Sequence, residues 1–251
     1  MVIERNQVHV WEVSLAKSLG QGNRFFEILN DAEKERAARF YFRKDRDRFV
    51  IARASLRLIL SRYLNESPDR IEFCYGPNGK PELEAGGIEP RLHFNLSHSY
   101  DVALLAVARG RRVGVDVEKI VPQMVDNLGV AGNLFTPVET ELVRSAPAEN
   151  QADVFCRLWT RKEAFLKGTG EGLSASLDHF EVSLEEAGIR FSDPLKSEGT
   201  GWSVHEFRPC LGYVAAVAVE GDLPGFSFYK AGDPKDRSEP TLSLALPLPV
   251  S

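Results

Sequence analysis

The spacing of apolar residues along the chain changes between strand and helix periods, which predicts an α+β fold. Two continuous apolar runs, residues 102–108 and 213–219, have the length and composition of buried strands. Apolar residues recur at helical spacing over residues 47–63 and 153–167, which predicts two amphipathic helices. Shorter runs predict further strands at residues 7–13, 71–74, 112–118, 180–184 and 202–207.

Several helix boundaries are marked by residues that bond to the free backbone groups of a terminal turn. Thr136 and Glu139 flank a proline at the first helical position, which is a specific signal for a helix start. Asn30 offers a polar cap to an earlier helix. Gly168 lies where a C-terminal cap is expected for the helix over residues 153–167.

The predicted strands and helices follow a similar order in the two halves of the chain. This order predicts two related α/β lobes, each with a small, mostly antiparallel sheet packed against helices. We place the N-terminal lobe at residues 1–115 and the C-terminal lobe at residues 116–231. Residues 232–251 are rich in Pro, Ser and small side chains, and we expect them to form a flexible tail.

Two short segments of the first half combine turn residues with polar side chains. The Asn-Gly pair ending at Gly79 suits a tight turn, which would hold Lys80 on a rigid projection. His98 lies between two serines, Ser97 and Ser99, in what we expect to be a polar loop before the strand over residues 102–108. A lone histidine of this kind is more often structural than a ligand.

A turn at Gly110 then leads into the Val-rich segment over residues 112–118, so we expect a hairpin that ends at Asp116 and Glu118. These acids are two residues apart and share one strand face. One interpretation is a half-buried strand with polar residues on its wet side. Alternatively, two like charges in apolar surroundings need a cation, and carboxylate oxygens without nearby Cys or His favour Mg²⁺ over zinc.

Glu163 and Lys167 are four residues apart, on one side of the predicted helix over residues 153–167. Taken alone, they suit a surface ion pair worth a few tenths of a kcal/mol. If this helix meets the strand that carries Asp116 and Glu118, three acids face one point.

A basic run over residues 34–48 contains seven basic and three acidic residues. Its simplest interpretation is a solvated helix face. Its interleaved aromatic residues are also typical of nucleic-acid contact, but the acids interrupt the charge and aromatics at helical spacing are usually core. A small phosphorylated ligand needs only two or three of the bases, and Arg36 and Arg48 could bind a terminal phosphate bidentately.

Composition narrows the class of protein. The chain has 251 residues, of which 43% are hydrophobic, which excludes a disordered chain. The net charge of -5 argues against nonspecific nucleic-acid binding. No apolar run approaches the roughly 18 residues of a membrane span, and the first residues lack the features of a signal peptide. We therefore expect a cytoplasmic protein that binds neither nucleic acid nor membrane.

The chain has three cysteines, Cys74, Cys156 and Cys210, which are far apart and form no CxxC pair. This spacing predicts neither a disulfide framework nor a zinc site. We expect three inert, partly buried thiols.

Five segments, taken in order, resemble the 4'-phosphopantetheinyl transferases of the surfactin-synthetase-activating (Sfp) type. The resemblance covers roughly residues 5 to 225, and the Trp-Thr-x-Lys-Glu-Ala segment with a lysine four residues after the glutamate is its most specific part. The five segments are the basic run over residues 34–48, Gly76-x-x-Gly79-Lys80-Pro81, Phe94-Asn95-Leu96-Ser97-His98-Ser99, Gly114-Val115-Asp116-Val117-Glu118 and Trp159-Thr160-x-Lys162-Glu163-Ala164-x-x-Lys167.

This resemblance implies two pseudo-twofold-related α/β lobes with coenzyme A as substrate. It also implies transfer of the 4'-phosphopantetheine group of coenzyme A to a serine hydroxyl of an apo acyl or peptidyl carrier protein. The reaction would need Mg²⁺ and would release adenosine 3',5'-bisphosphate after in-line attack on the β-phosphate. We expect a monomer whose partners are coenzyme A and the carrier.

The resemblance also assigns roles to individual residues. It implies that the metal ligands are Asp116, Glu118 and Glu163, and that Lys167 and His98 contact the pyrophosphate or the 3'-phosphate. It implies that the nucleotide end is bound by Arg36, Arg48 and Lys80, with Ser97 nearby. Because Ala37 and Ala38 occupy the middle of the first basic helix, the choice of Arg36 over Lys34 or Arg39 stays open.

Two other functions suit parts of the same pattern. Three acids and several bases also fit a metal-dependent phosphohydrolase, in which water attacks a phosphate. A noncatalytic nucleotide-binding or carrier-docking module is the other alternative, but a binding role would not require all three acids.

Overall fold

The structure is a computed structural model that describes residues 1–16, 22–84, 90–129, 134–170, 177–185, 189–191 and 201–231. It confirms the α+β class, with small, mostly antiparallel sheets and several helices. The chain forms two compact units. Among the residues described, no helix has both the length and the apolar character needed to cross a membrane.

Unit 1 consists of the described residues within Met1–Cys74, Glu82–Gly110 and Gly225–Ser251, of which the last range is described only as far as residue 231. Its four-stranded sheet has the order β11-β1-β5-β4, in which the β1–β11 pair is parallel and the other pairs are antiparallel. Its elements are β1 (Gln7–Ser14), α1 (Gly22–Ile28), α2 (Asp31–Ala38), α3 (Arg43–Leu64), β4 (Leu92–Ser99), β5 (Val102–Arg109) and β11 (Gly225–Lys230).

The core of unit 1 forms around the long helix α3 and the strand β1. Burial of Ile51, Leu56 and Leu60 on α3 supplies part of the apolar core. Tyr63 fixes the last turn of this helix, because its hydroxyl oxygen is 2.8 Å from Trp11 Nε1 and 2.8 Å from His9 Nδ1. Two strand residues and one helix residue therefore share a buried polar contact.

Unit 2 contains Tyr75–Pro81 and Arg111–Pro224. Its main sheet has the antiparallel order β6-β10-β9, and β7 and β8 form a separate antiparallel pair. Its elements are β6 (Val113–Lys119), a 3-10 turn (Pro122–Gly129), α4 (Pro137–Ser145), α5 (Gln151–Thr169), a 3-10 turn (Leu177–His179), β7 (Phe180–Val182), β8 (Ile189–Phe191), β9 (Trp202–Phe207) and β10 (Tyr213–Glu220). The short strands β2 (Phe73–Tyr75) and β3 (Pro81–Leu83) flank the turn that belongs to this unit.

Both predicted helix starts are confirmed. Asn30 and Thr136 each accept a hydrogen bond from the backbone of the third helical residue, and a glutamate there returns the bond. Glu33 returns it in α2 and Glu139 in α4. These caps satisfy backbone donors that have no partner inside the helix.

Two expectations about the strands are wrong, and one strand was not expected. The segment containing His98 is part of β4 and not a loop, since it pairs along its length with β5. The hairpin expected across Gly110 does not form, because β5 pairs with β1 and β4, whereas β6 pairs with β10. The strand β11 was not predicted, and it pairs with β1 from more than 200 residues away in the sequence.

The two units have other boundaries along the chain than the predicted lobes, which divide between residues 115 and 116. Here β11 returns to unit 1, and the segment Tyr75–Pro81 belongs to unit 2. The predicted tail, residues 232–251, lies outside the described residues.

Candidate active site

The site begins with a contact between the backbones of β6 and α5. A Cβ atom on Gly114 would lie 2.0 Å from the carbonyl oxygen of Ala164 and 2.3 Å from the amide nitrogen of Gly168. Only glycine fits such a close approach. Side chains alternate along a strand, so Asp116 and Glu118 share the face of Gly114 and are directed toward α5.

The helix side of this contact also needs a glycine. A Cβ atom on Gly168 would lie 2.5 Å from the ring of Trp202 on β9. The predicted role of Gly168 as the helix cap is therefore wrong. The helix continues to Thr169, and Gly170 ends it with a left-handed φ of 82°, its N–H donating to the carbonyl of Leu166.

Asp116 and Lys167 form an ion pair between the strand and the helix. Asp116 is only 2% exposed, and its Oδ1 accepts a hydrogen bond from Lys167 Nζ at 2.5 Å. A charge-assisted hydrogen bond at a largely buried carboxylate is stronger than a solvated surface pair. Lys167 thus reaches the strand acid and keeps a partly exposed side chain, which leaves room for an anionic ligand.

Glu163 lies on the same helix one turn earlier and is 8% exposed, so its interpretation as half of a solvated surface pair is wrong. Burial raises the pKa of its carboxyl; the Lys167 ammonium opposes this, and the negative charges of Asp116 and Glu118 add to it. Within the described part of the chain, Glu163 Oε1 is buried and has no hydrogen-bond partner. The charges of the two strand acids therefore act on Glu163 electrostatically.

Among the described residues, no group of three or more His, Cys, Asp or Glu side chains is arranged to hold a metal ion as it stands. The donor set nevertheless suits a hard cation. Asp116, Glu118 and Glu163 offer only carboxylate oxygens, and Glu163 Oε1 is a buried acceptor that needs a positive partner. Cys156 supplies no thiolate, since burial raises its pKa to about 12 and Glu118 adds to the shift.

A second buried ion pair fixes the turn of α5 that carries Glu163. Lys162 is fully buried, and its Nζ lies 2.7 Å from Glu139 Oε2 and 2.6 Å from the carbonyl oxygens of Leu177 and Phe180. The buried structural role of Lys162 was not predicted from the sequence, because a lysine on a helix is usually solvated. Its place beside Glu163 in the motif was the available signal.

Lys80 does not stand on a free projection. Its Nζ donates to the carbonyl oxygen of Gly168 at 3.0 Å and to that of Val113 at 3.5 Å. In the same turn the Asn78 side chain donates to the carbonyl of Gly170 at 2.8 Å. The turn is therefore attached to the end of α5, where a cation also complements the helix dipole.

The two predicted arginine ligands belong to unit 1 and differ in their surroundings. Arg36 is exposed, with its guanidinium carbon 5.3 Å from the centre of the Phe49 ring. Arg48 is held by carboxylates, with NH2 donating to Asp101 at 2.7 Å and NH1 lying 3.8 Å from Asp45. A phosphate would have to share or replace these carboxylates at Arg48.

Ser97 and His98 also belong to unit 1, at neighbouring positions of β4. Ser97 is buried and registers with Leu104, whereas His98 is exposed and registers with Ala103. Strand alternation therefore directs the two side chains to opposite faces. Only one of them can face a given ligand directly.

Two segments of the chain match known protein families. Residues 112–218 match the 4'-phosphopantetheinyl transferase superfamily. Residues 18–109 match the family described as 4'-phosphopantetheinyl transferase, N-terminal. The two matches cover segments that supply both the acids of unit 2 and the basic residues of unit 1.

Individual relatives cover most of the chain. The 4'-phosphopantetheinyl transferase HetI of Nostoc sp. (strain PCC 7120) is 40% identical over 217 residues, which are 86% of this chain and 89% of that protein. A putative 4'-phosphopantetheinyl transferase of Synechocystis sp. is 34% identical over 68% of each chain. The 4'-phosphopantetheinyl transferase Sfp of Bacillus subtilis (strain 168) is 30% identical over 81% of this chain and 88% of that protein.

Proposed function

Since this chain belongs to the 4'-phosphopantetheinyl transferase family and is an enzyme of that type, we propose that its acids Asp116, Glu118 and Glu163 bind Mg²⁺ for the transfer. The reaction moves the 4'-phosphopantetheine group of coenzyme A to a serine hydroxyl of an apo carrier protein. Adenosine 3',5'-bisphosphate is the leaving group. The observation that carries the site assignment is the carboxylate of Glu163, which is buried with an unsatisfied oxygen and is exposed to the negative charges of Asp116 and Glu118.

The chemistry of the donors supports a hard divalent cation. Mg²⁺ prefers oxygen ligands. Proteins usually bind it through a few carboxylates and leave its other coordination positions for phosphate and water. When bound, Mg²⁺ would supply positive charge against the pyrophosphate oxygens of coenzyme A. Lys167 pairs with Asp116 and opposes the raised pKa of Glu163 only in part, so a cation near Glu163 would offset the remaining negative charge.

Each residue of the site has a separate task. The serine oxygen forms a bond to the β-phosphorus while the bond from that phosphorus to the bisphosphate oxygen breaks. Lys167, partly exposed beside Asp116, stabilises negative charge on the phosphate oxygens. Glu163 accepts the serine proton, since a carboxylate beside the metal site can reach the incoming hydroxyl.

The nucleotide end of coenzyme A is bound by residues outside the acid cluster. We assign its phosphates to Arg36, Arg48, Lys80 and His98, with Ser97 nearby. Exposure supports Arg36 and His98 most directly, because both are accessible to a ligand. Arg48 would exchange its contact with Asp101 for a phosphate. The monomeric state and the cytoplasmic location stay predictions.

One assay separates this function from its alternatives. The protein is mixed with coenzyme A, MgCl₂ and an apo carrier protein, and the carrier is weighed by mass spectrometry. Addition of one phosphopantetheine group per carrier supports the transferase. Breakdown of coenzyme A with an unmodified carrier would indicate a phosphohydrolase, and retained coenzyme A binding without either reaction would indicate a binding module.

A further inference from the structure

The ammonium of Lys167 lies beside two of the three acids that we assign to the metal. Its Nζ donates to Asp116 Oδ1 at 2.5 Å, and Asp116 is largely buried. The same ammonium acts through its charge on Glu163, which lies one turn earlier on α5. One positive charge of the protein is therefore held where the proposed function needs a divalent cation.

Lys167 and Mg²⁺ would bind the same carboxylate. A carboxylate that accepts a hydrogen bond from an ammonium is a weaker metal ligand, because the ammonium already offsets part of its negative charge. Two cations at one carboxylate also repel each other, and this repulsion is stronger at a largely buried site than in water. Lys167 therefore competes with Mg²⁺ at Asp116.

The lysine of this pair is the more mobile partner. The side chain of Lys167 is 32% exposed, and its ammonium ends a flexible stem that can turn to another acceptor. Asp116 is held in the strand, where it registers with Ala216 of β10. Lys162 on the same helix differs, because it is fully buried and is bound by Glu139 and two backbone carbonyls.

The pyrophosphate of coenzyme A would offer Lys167 a second acceptor. Phosphate oxygens accept charge-assisted hydrogen bonds from lysine, as carboxylate oxygens do. When the ammonium moves to the phosphate, Asp116 regains its full negative charge as a metal ligand. Binding of one ligand then favours binding of the other, which is a coupling free energy between two sites.

We propose that Lys167 couples the binding of Mg²⁺ to the binding of coenzyme A by moving its ammonium from Asp116 to the pyrophosphate. This inference rests on the proposed function, since it places both ligands at the acid cluster. In the protein without coenzyme A, Lys167 weakens the affinity for the metal. With coenzyme A bound, the ammonium contacts the phosphate and no longer opposes the metal. By reciprocity, Mg²⁺ strengthens coenzyme A binding by the same factor.

Metal binding to Lys167→Met without coenzyme A is the first test. Mn²⁺ is the probe, because it takes the same oxygen ligands as Mg²⁺ and electron paramagnetic resonance measures its unbound concentration. Lys167→Met should bind Mn²⁺ about tenfold more tightly than wild type. Lys119→Met is the matched control: Lys119 follows Glu118, and strand alternation directs it to the other face of β6. This control should stay within about twofold of wild type.

The second test repeats the titration with coenzyme A at saturation. In wild type and in Lys119→Met, coenzyme A should strengthen Mn²⁺ binding. In Lys167→Met this gain should be about tenfold smaller, since there is no ammonium to move and only direct contact of the metal with phosphate remains. Lys167→Gln keeps a hydrogen-bond donor without the charge and should give both results. Urea unfolding establishes that each variant is folded.

The outcomes separate this coupling from the proposed function. Mn²⁺ binding to Lys167→Met and Lys167→Gln that is no tighter than in wild type would overturn the coupling, as would an equal gain in Lys119→Met. If wild type still binds Mn²⁺ and modifies the carrier, only the coupling is wrong. If wild type binds no Mn²⁺ with or without coenzyme A, the metal assignment is wrong and the coupling is overturned with it.

Discussion

Gly114 on β6 and Gly168 on α5 bring two backbones into direct contact, and this contact sets the distance between the acids of the strand and the charged residues of the helix. Asp116 and Glu118 follow Gly114 on the same strand face, while Glu163 and Lys167 flank the contact on the helix. The geometry of the site therefore depends on two positions that carry no side chain.

A methyl group at Gly114 should disrupt this arrangement. Gly114→Ala places a Cβ atom 2.0 Å from the Ala164 carbonyl, so α5 must move away from β6. We expect a loss of about 3 kcal/mol or more in the free energy of unfolding, and a large loss of transferase activity. Urea unfolding and the carrier mass assay measure both. Gly201→Ala, which meets nothing within 4 Å, should behave as wild type.

Removing the cation at Lys167 should lower both the activity and the stability of the protein. Lys167→Met deletes the charged hydrogen bond to Asp116, which costs about 1.5–3 kcal/mol of stability, and it should lower kcat about 100-fold. Steady-state kinetics with the carrier provide the measurement. Lys230→Met removes a lysine whose side chain is 65% exposed and serves as the control. Equal activity of the two variants would refute a role for Lys167 in transfer.

Removing one partner of the buried pair of Lys162 and Glu139 should destabilise unit 2. Lys162→Met leaves the Glu139 carboxylate buried without its cation, at a cost of about 3–5 kcal/mol in urea unfolding. Adding Glu139→Gln should recover part of this loss, because the uncompensated charge is removed. Asp31→Asn, which breaks the exposed pair with Lys34, should cost less than about 0.5 kcal/mol.

His9 should make folding stability sensitive to mild acid. Burial, with a smaller contribution from the N-terminal charge, lowers the pKa of His9 from 6.5 to about 4. Because the unfolded chain binds the proton more readily, His9 contributes stability that is fully present above pH 6.5 and is lost as pH falls toward 4. The loss approaches about 3 kcal/mol. Urea unfolding of His9→Gln should show a smaller slope over this pH window.

Features that depend on neighbouring residues were predictable from the sequence. The caps at Asn30 and Thr136 bond within one helical turn, so their residue types suffice to identify them. The spacing of Asp116 and Glu118 likewise fixes a common strand face. These local signals gave the α+β class and the elements that carry the acids.

Features that depend on distant partners were not predictable. Pairing of β11 with β1 joins residues more than 200 positions apart, and no local pattern indicates it. Gly168 resembles a helix cap in the sequence, and only its contact with Gly114 and Trp202 reveals its packing role. Lys162 has the residue type of a solvated helix position, yet Glu139 and two backbone carbonyls bury it.

Binding of Mg²⁺ by the three carboxylates is tested by the rate of carrier modification as a function of Mg²⁺ concentration in single carboxylate variants. Asp116→Asn, Glu118→Gln and Glu163→Gln are compared with wild type and with Glu141→Gln, an exposed control on α4. Wild type and the control should show a saturable dependence on Mg²⁺, and each of the three variants should lose at least about 100-fold in rate. Wild-type rates in all three variants at every Mg²⁺ concentration would contradict binding of the metal by these carboxylates.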